Sequence, residues 1–255
     1  HQSEALASGK TPIGIVGYIG NHYWTEKDFE ISKKPVGGHA LVMCLKTIGS
    51  TGKTSIGTKY AWYSPYSSNS DTGRRPFVNS RNLIVDSKNQ TYGSGYTDTN
   101  YLINKWKLEA AAAYHAKYYN TLPAPTNKCT GWFLPSAGQY YAVMTNLGAA
   151  FSSDWSGIWN GDTSAHPKLG FFENMKTVTT NINNMLKKVG DSNHTEFFGS
   201  VNNWAWTSSE YSASGGVALD SGFDDLYDGS GTVRFVGGDK SSKWGELPVR
   251  PFLAF

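Results

Sequence analysis

The feature that most constrains the fold of this chain is a contrast within its last stretch, residues 202–255. The stretch opens with an apolar, aromatic segment at 202–211 and closes with another at 247–255, and both have the composition of core strands. The residues between them are rich in Gly, Ser, Asp and aromatics, which is typical of surface. We therefore expect the rest of the chain to hold this middle part in place.

Composition favours one loop-rich domain. Of the 255 residues, 39% are hydrophobic and 14% are aromatic, and large rings can fill a core with fewer aliphatic side chains. The sequence contains 28 glycines, and we find neither an internal repeat nor a linker-like segment. We predict a flexible lead-in at residues 1–10 and a single α+β domain over 11–255.

Charge and hydropathy exclude two classes of function. The net charge is only +3 and the lysines and arginines form no dense run, so we predict no nucleic-acid partner. No apolar run approaches the ~20 residues of a membrane span, so we predict none in this sequence. The chain begins at His1 without a signal peptide. We interpret this start as a cut point in a longer chain whose anchor or targeting signal precedes it.

The rest of the chain contains strand patterns that could frame the last stretch. Residues 38–46 are apolar on both faces, which predicts a central strand. Residues 217–220 and 233–236 flank a turn rich in Gly and Asp and predict a hairpin. We predict long loops at 64–98 and 151–168, where apolar residues are few. Further strands are predicted at residues 13–19, 60–64, 132–134 and 249–255.

Helical spacing and caps complete the expected architecture. We predict helices at residues 100–119, 136–146 and 171–189. Thr99 or Asn100 can cap the first helix. Ser136 and Gln139 have the spacing of a capping box at the start of the second. Strands from both ends of the chain are expected to meet in one sheet, with the first two helices packed against it.

Three motifs then occur in one order along the chain: Gly131-Trp132-Phe133-Leu134-Pro135-Ser136, Trp206-Thr207-Ser208-Ser209-Glu210-Tyr211 and Val249-Arg250-Pro251-Phe252-Leu253-Ala254-Phe255. This trio resembles the Fibrobacter succinogenes major paralogous domain family of Bacteroidetes surface proteins. The resemblance covers most of residues 11–255. The sequence departs from the family pattern at Thr207 and Phe252, and it contains long insertions at 64–98 and 151–170 that the pattern does not include.

The resemblance implies a C-type-lectin-like fold, which is a mixed twisted sheet with two to three helices and long loops. It also implies a place at the cell surface or outer membrane, because the family often forms the terminal domain of lipoproteins and pilus-tip adhesins. The same fold carries the variable proteins of diversity-generating retroelements. In those proteins a segment near the C-terminus is diversified, and the matching position here is about residues 202–247.

The middle of the last stretch is the candidate binding surface. Its Tyr, Trp and Arg residues offer large contact areas, while Ser, Gly and Asp offer adaptable hydrogen bonds, as in antibody paratopes. We predict a protein or glycan ligand. The candidate ligand-binding residues are Asn203, Trp204, Ser212, Ser214, Phe223, Asp225, Tyr227, Arg234, Lys240, Ser242 and Trp244.

Two other interpretations of this stretch stay open. It can be an ordinary polar loop with its aromatic rings buried beneath it. The chain can also be a structural tip or cap subunit of a pilus that binds only neighbouring subunits, through its N-terminal region, and has no host ligand. The retroelement hypothesis is a refinement of the binding interpretation.

We predict no catalytic residue. The serines of residues 206–211 have no obvious His partner, and no Gly-x-Ser-x-Gly elbow is present. Trp132 and Trp206 are predicted to fill the core, and Ser208 and Ser209 to bond local backbone. Glu210 is predicted to pair with Arg250 and so to tie the last strand to the motif that contains Trp206.

Acidic residues and cysteines leave alternatives open. Asp220, Asp224, Asp225 and Asp228 are compatible with calcium or with a solvated turn. Since EF-hand spacing and zinc-type Cys/His spacing are both absent, we predict no metal and no cofactor. Cys44 lies in an apolar run, which favours a buried free thiol, while a disulfide with Cys129 is the alternative.

Overall fold

The computed structural model describes residues 8–19, 40–55, 57–63, 95–125, 129–148, 168–172, 175–190, 192–197, 204–212, 215–220, 233–237 and 246–254. Within these ranges the backbone alone is described for residues 137, 138, 141, 168–172, 175, 176, 204, 210–212, 215–220 and 233–237. The described residues form a mixed α+β structure with four α-helices and three antiparallel sheets. None of the described helices has the length and apolar character needed to cross a membrane.

Nine strands and four helices follow one another along the chain. The strands are β1 (Gly14–Ile19), β2 (Ala40–Cys44), β3 (Lys59–Ala61), β4 (Lys168–Phe172), β5 (Trp204–Ser212), β6 (Gly215–Asp220), β7 (Val233–Gly237), β8 (Glu246–Pro248) and β9 (Phe252–Ala254). The helices are α1 (Gly95–Trp106), α2 (Ala111–Lys117), α3 (Ala137–Gly148) and α4 (Met175–Leu186), with 3-10 turns at Lys107–Glu109 and Lys187–Val189.

The central sheet joins the two ends of the chain, as predicted. Its order is β1-β2-β9, and β2 pairs antiparallel with both neighbours. Leu41 lies opposite Ala254 and Val42 opposite Leu253. All five residues of β2 are buried. The prediction of a central strand with two apolar faces is therefore confirmed.

Helices cover both faces of this sheet. Leu41 and Met43 of β2 belong to one apolar cluster, which also contains buried residues of α3 and α4. Val42 and Cys44 belong to a second cluster, with buried residues of α1 and α2. Because successive side chains of a strand point to opposite faces, β2 contributes alternately to two cores.

The first predicted helix was wrong in its start and in its continuity. It begins at Gly95, inside the predicted loop, and the chain then breaks at Lys107, whose φ is 51°, before α2 starts. Thr99 is therefore no cap. It lies buried within α1, where its hydroxyl accepts the Leu134 N–H at 3.0 Å and donates to the Leu134 carbonyl at 3.3 Å. These tertiary bonds compensate for the burial of its hydroxyl.

The second predicted helix is confirmed, including its cap. The Ser136 N–H donates to Gln139 Oε1 at 2.9 Å, and the Gln139 N–H donates to Ser136 Oγ at 3.3 Å. Both residues are buried. This reciprocal pair is a capping box, which satisfies two N–H groups that the helix itself cannot bond.

The third predicted helix was wrong at its N-terminal end. Phe171 and Phe172, expected to be helical, lie in β4, and α4 begins at Met175. Phe171 pairs with Arg234 and Phe172 with Val233 in the ladder between β4 and β7. Adjacent aromatic residues suit a strand, and the available partner strand decided the outcome.

The remaining strand predictions are confirmed with changed bounds, since β6 and β7 are longer than predicted and β1, β3 and β9 are shorter. The predicted hairpin is formed by β6 and β7, with Leu219 opposite Phe235. β3 pairs with β8 in a two-stranded sheet. The predicted strand at 132–134 reduces to a single bridge between Phe133 and Phe252, which extends the edge of β9.

Candidate functional site

The candidate site is built on the four-stranded sheet of order β4-β7-β6-β5, which we call the C-terminal sheet. Three of its strands, β5, β6 and β7, come from the stretch predicted to bind a ligand. β5 lies at one edge of the described sheet and contacts α1, α3 and β8 in the rest of the chain.

Two indoles fasten β5 to the chain around β3. The Trp206 Nε1–H donates to the Tyr60 carbonyl at 2.7 Å, and the Trp62 Nε1–H donates to the Thr207 carbonyl at 2.8 Å. Both tryptophans are 1% exposed. The prediction that Trp206 fills the core is confirmed, and the reciprocal bonds fix the position of β5 along its axis.

Ser208 bonds the same strand to α1 and to the first motif, Gly131–Ser136. Its N–H donates to the Pro135 carbonyl at 2.8 Å, and its hydroxyl donates to Asp98 Oδ2 at 3.1 Å. Asp98 is buried. The prediction of purely local bonding was therefore wrong for Ser208, whose hydroxyl serves a distant carboxylate. Ser209 does bond locally, donating its N–H to Thr207 Oγ1 at 3.2 Å.

Arg250 locks the closing segment by donating to backbone carbonyls. Nη1 donates to the carbonyls of Cys44 at 3.1 Å and Leu45 at 3.3 Å, and Nη2 to those of Thr195 at 2.7 Å and Glu196 at 2.8 Å. Arg250 is 4% exposed, and burial lowers the pKa of its guanidinium. A guanidinium nevertheless stays protonated in proteins, so the four carbonyls surround a charge.

The predicted pair between Glu210 and Arg250 stays a prediction, because the side chain of Glu210 lies outside the described residues. The predicted structural role of Trp132 is confirmed. It is 2% exposed, and its Nε1–H donates to the Leu122 carbonyl at 2.6 Å. Its ring also meets that of Tyr119 edge to face.

Strand register brings two predicted ligand-binding residues into one row. Trp204 lies opposite Asp220, Asp220 opposite Arg234, and Arg234 opposite Phe171. Residues directly opposite in antiparallel strands share a face of the sheet. Trp204 and Arg234 are therefore placed at one level of the C-terminal sheet, on strands separated by β6. Ser212 lies at the other end of β5, opposite Gly215.

The other predicted ligand-binding residues lie outside the described residues, and their gathering on one surface stays a prediction. They are Asn203, Ser214, Phe223, Asp225, Tyr227, Lys240, Ser242 and Trp244. The calcium alternative is likewise untested, because no side chain of its aspartates is described. Within the described part of the chain, no group of three or more His, Cys, Asp and Glu side chains could hold a metal ion.

The two cysteines are free, which corrects the disulfide alternative. Cys44 is fully buried, and burial raises the pKa of its thiol to about 12. The Cys129 thiol donates to the Pro125 carbonyl at 3.1 Å. Both residues contribute to the apolar cluster beneath α1 and α2, as small hydrophobic side chains commonly do.

The sequence interpretation missed a group of aromatic residues on α2 and β3, which we call the α2 aromatic surface: Tyr60, Tyr114, His115 and Tyr118. The ring of Tyr60 stacks on that of His115 at a centroid distance of 4.1 Å. Tyr114 contacts both His115, at 5.6 Å, and Tyr118, at 4.6 Å. The spacing of Tyr114 and Tyr118 by one helical turn could have indicated it.

Comparisons with known proteins give little. No family model matches the chain, and no curated protein matches it. Among solved structures, the chain is similar to a fimbrial protein from Bacteroides ovatus, with 18% identity and a TM-score of 0.45. The match covers 95% of this chain and 44% of that protein, so this chain spans less than half of its length.

The surface or pilus-associated role expected from the three motifs stays a prediction. A TM-score this low carries no argument about the fold. The C-type-lectin-like fold and the resemblance carried by the three motifs therefore stay predictions.

Proposed function

We propose that this chain is a non-enzymatic, adhesin-like surface module that binds a protein or glycan through residues 202–246. The observation that carries the proposal is a contrast between β5, which is bonded to distant parts of the chain, and the segments that follow it, whose composition suits binding. Residues 205–209 are buried and bonded to distant parts of the chain. β6 pairs with β5, β7 pairs with β6, and the segments after these two strands have a composition that suits binding.

Hydrogen bonds to distant parts of the chain hold β5 and the closing segment around Arg250 in place, which supports a rigid base for the binding residues. Trp206, Trp62 and Ser208 bond β5 to residues more than 100 positions away in sequence. Arg250 does the same for the closing segment, through the carbonyls of Cys44 and Leu45. A platform that is fixed before binding loses less entropy when a ligand arrives, which favours affinity.

The C-terminal sheet determines where the binding segments begin and end. Residues 221–232 connect β6 to β7, and residues 238–245 connect β7 to β8. Both connections contain predicted ligand-binding residues, while Trp204 and Arg234 occupy one row of the sheet between them. In this proposal the row and the two connections act together as one contact surface.

The three sequence motifs support the finer form of the proposal. They favour a C-type-lectin-like fold with its anchor in a preceding part of the chain and its binding segment exposed at the outer membrane. Retroelement diversification of residues 202–247 is a further refinement. The nucleotide sequence tests it through a nearby template repeat that differs at adenines within these codons, and an absent repeat removes the refinement alone.

A second candidate function is a structural pilus subunit, and exposed apolar residues on β1 favour it. Val16 is 43% exposed and Ile19 is 76% exposed. In the described part of the central sheet, β1 is an edge strand. An edge strand with exposed apolar side chains is a ready contact for another chain.

The experiment that tests the proposal compares two double variants of the full chain on arrays of immobilised neutral glycans and surface proteins. Tyr227→Ala with Trp244→Ala should abolish binding and leave the thermal unfolding midpoint nearly unchanged. Val16→Ser with Ile19→Ser is the matched control and should bind normally. Loss of binding only in the β1 variant would favour the subunit role, and a large drop in the midpoint of the first variant would place its rings in the core.

A further inference from the structure

We propose that the α2 aromatic surface is a second binding site, separate from residues 202–246, and that its ligand is an acidic saccharide. The site lies on α2, with Tyr60 contributed by β3. It goes beyond the proposed function, because none of its residues belongs to the C-terminal sheet.

Exposed ring faces are the first reason. Tyr118 is 56% exposed, and its neighbour Tyr114 is half-buried. The face of an aromatic ring carries partial negative charge, and the C–H groups of a sugar ring carry partial positive charge. A pyranose can therefore lie flat on such a face while its hydroxyl groups bond the polar groups at the rim.

Fixed geometry is the second reason. His115 is held between the stacked ring of Tyr60 and the edge of Tyr114. The carbonyl of Tyr60 accepts the Trp206 indole, and α2 buries Ala112, Ala113 and Ala116 against the core. The rings are thus supported by the same frame that supports β5, and ligand binding requires little reordering of them.

Positive charge beside the rings is the third reason, and it selects the acidic class of saccharide. Lys117 on α2 donates to the side-chain oxygen of Asn100 on α1. Next to Asn100, Tyr101 is 41% exposed, and Lys105 lies 5.5 Å from the centre of its ring. One ammonium group thus lies over an exposed tyrosine of α1, and the other joins α2 to α1 one residue before Tyr118.

Few carboxylates oppose these charges nearby. β8, which pairs with β3, places the exposed Glu246 opposite Ala61. Residues 57–63 and 95–125 contain two acidic side chains, and one of them, Asp98, is buried and accepts the Ser208 hydroxyl. Glu109 is the other. The lysines of the same residues are Lys59, Lys105, Lys107 and Lys117. A net positive surface attracts an anion and makes its binding weaken as salt is added.

The test is isothermal titration of the full chain with two acidic probes, trigalacturonate and a sulfated galactose oligosaccharide, and with the methyl ester of the first as the neutral probe. At least one acidic probe should bind more tightly than the ester, and its affinity should fall with added salt. The two acidic arms distinguish a carboxylate from a sulfate as the recognised group. Binding of neither acid, or equal affinity for acid and ester, would overturn the proposal.

Variants locate the binding on the surface. Tyr118→Ala should weaken binding of the acidic probe by about tenfold, through lost stacking. Lys117→Gln should weaken it and flatten its salt dependence. Leu108→Ala is the matched control, since Leu108 is 59% exposed in the 3-10 turn before α2. An unchanged affinity in both surface variants would overturn the site.

The two binding proposals fail separately. The Tyr227→Ala, Trp244→Ala double variant should keep its affinity for the acidic saccharide, and Tyr118→Ala should keep its array binding. Tyr118→Ala is expected to fold because its ring is mostly exposed, which near-ultraviolet circular dichroism checks. Tyr101→Ala gives a second surface variant should the first one lose structure. Loss of saccharide binding in the Tyr227→Ala, Trp244→Ala variant would assign that binding to residues 202–246 and refute the second site.

Discussion

Two sets of aromatic residues in this structure differ in what holds their rings in place. The inner set is Trp62, Trp132 and Trp206. Each is at most 2% exposed, and each donates its indole N–H to a backbone carbonyl at 2.6–2.8 Å. The outer set is the α2 aromatic surface, whose rings contact one another at centroid distances of 4.1–5.6 Å in stacked, edge-to-face and tilted geometries.

The difference teaches how a chain that is 14% aromatic divides its rings between stability and contact. A buried indole without a partner would be costly, so each inner ring has a fixed acceptor and a fixed place. The outer rings have no such constraint and keep accessible faces. Substitutions in the inner set and its surroundings should therefore change stability, and substitutions in the outer set should change binding.

The largest expected effect comes from Arg250, which holds the segment that closes over the inner set. Arg250→Met keeps most of the aliphatic stem but removes the donor to four carbonyls, of which, among the described residues, only that of Leu45 still accepts another N–H, from Thr195. We expect a loss of about 3–5 kcal/mol in the free energy of unfolding, since buried unpaired groups cost roughly 1–3 kcal/mol each and the site can relax. Urea denaturation followed by fluorescence measures it.

Exposed Lys105 supplies the control for this substitution. Lys105→Met removes a charge from the outer region and should change the free energy of unfolding by less than about 0.5 kcal/mol. Equal effects of the two substitutions would mean that the carbonyls around Arg250 do not hold the closing segment.

A smaller effect on the free energy of unfolding is expected when the hydrogen-bonding group is removed from one ring of each set. Trp206→Phe keeps an aromatic ring but leaves the Tyr60 carbonyl without its indole donor, which should cost about 1–3 kcal/mol through the lost bond and the smaller ring. Tyr118→Phe removes an exposed hydroxyl and should cost less than about 0.5 kcal/mol. Thermal unfolding of both variants checks the difference, and a reversed order would refute the division into two sets.

The sequence predicted what depends on neighbouring residues. The capping box of Ser136 and Gln139 could be predicted because both partners lie within one helical turn. Successive residues of β2 are all apolar, and this pattern predicted that the strand is buried on both faces. Trp206, within a segment rich in aromatic residues, was correctly placed in the core.

The sequence could not predict what depends on distant partners. The early start of α1 puts Asp98 and Thr99 at buried positions, which became acceptable only through bonds to Ser208 and Leu134. Backbone carbonyls carry no sequence signal, so the four carbonyls that accept from Arg250 could not be predicted. At the start of the third predicted helix, Phe171 suits a helix or a strand, and pairing with β7 decided it.

The smallest effect in this series depends on pH and concerns the core beneath the outer set. Burial raises the pKa of the Cys44 thiol from 9.0 to about 12, and burial also raises the pKa values of Tyr119 and Tyr140. A folded-state pKa above the unfolded value means that the folded state holds its proton more strongly. The associated stability is complete below pH 9.0 and is lost as the pH rises toward about 12.

Wild-type protein should therefore lose free energy of unfolding between about pH 8 and pH 10.5, with Cys44 contributing about 1–2 kcal/mol of the loss. In Cys44→Ala the free energy of unfolding should fall less between the two pH values, by that amount. Tyr119 and Tyr140 account for the loss that remains. Cys129→Ala is the matched control, because Cys129 is only half-buried. Denaturant unfolding at the two pH values measures the slopes. Parallel slopes for wild type and Cys44→Ala would show that the thiol beneath α2 ionises as freely in the folded chain as in the unfolded one.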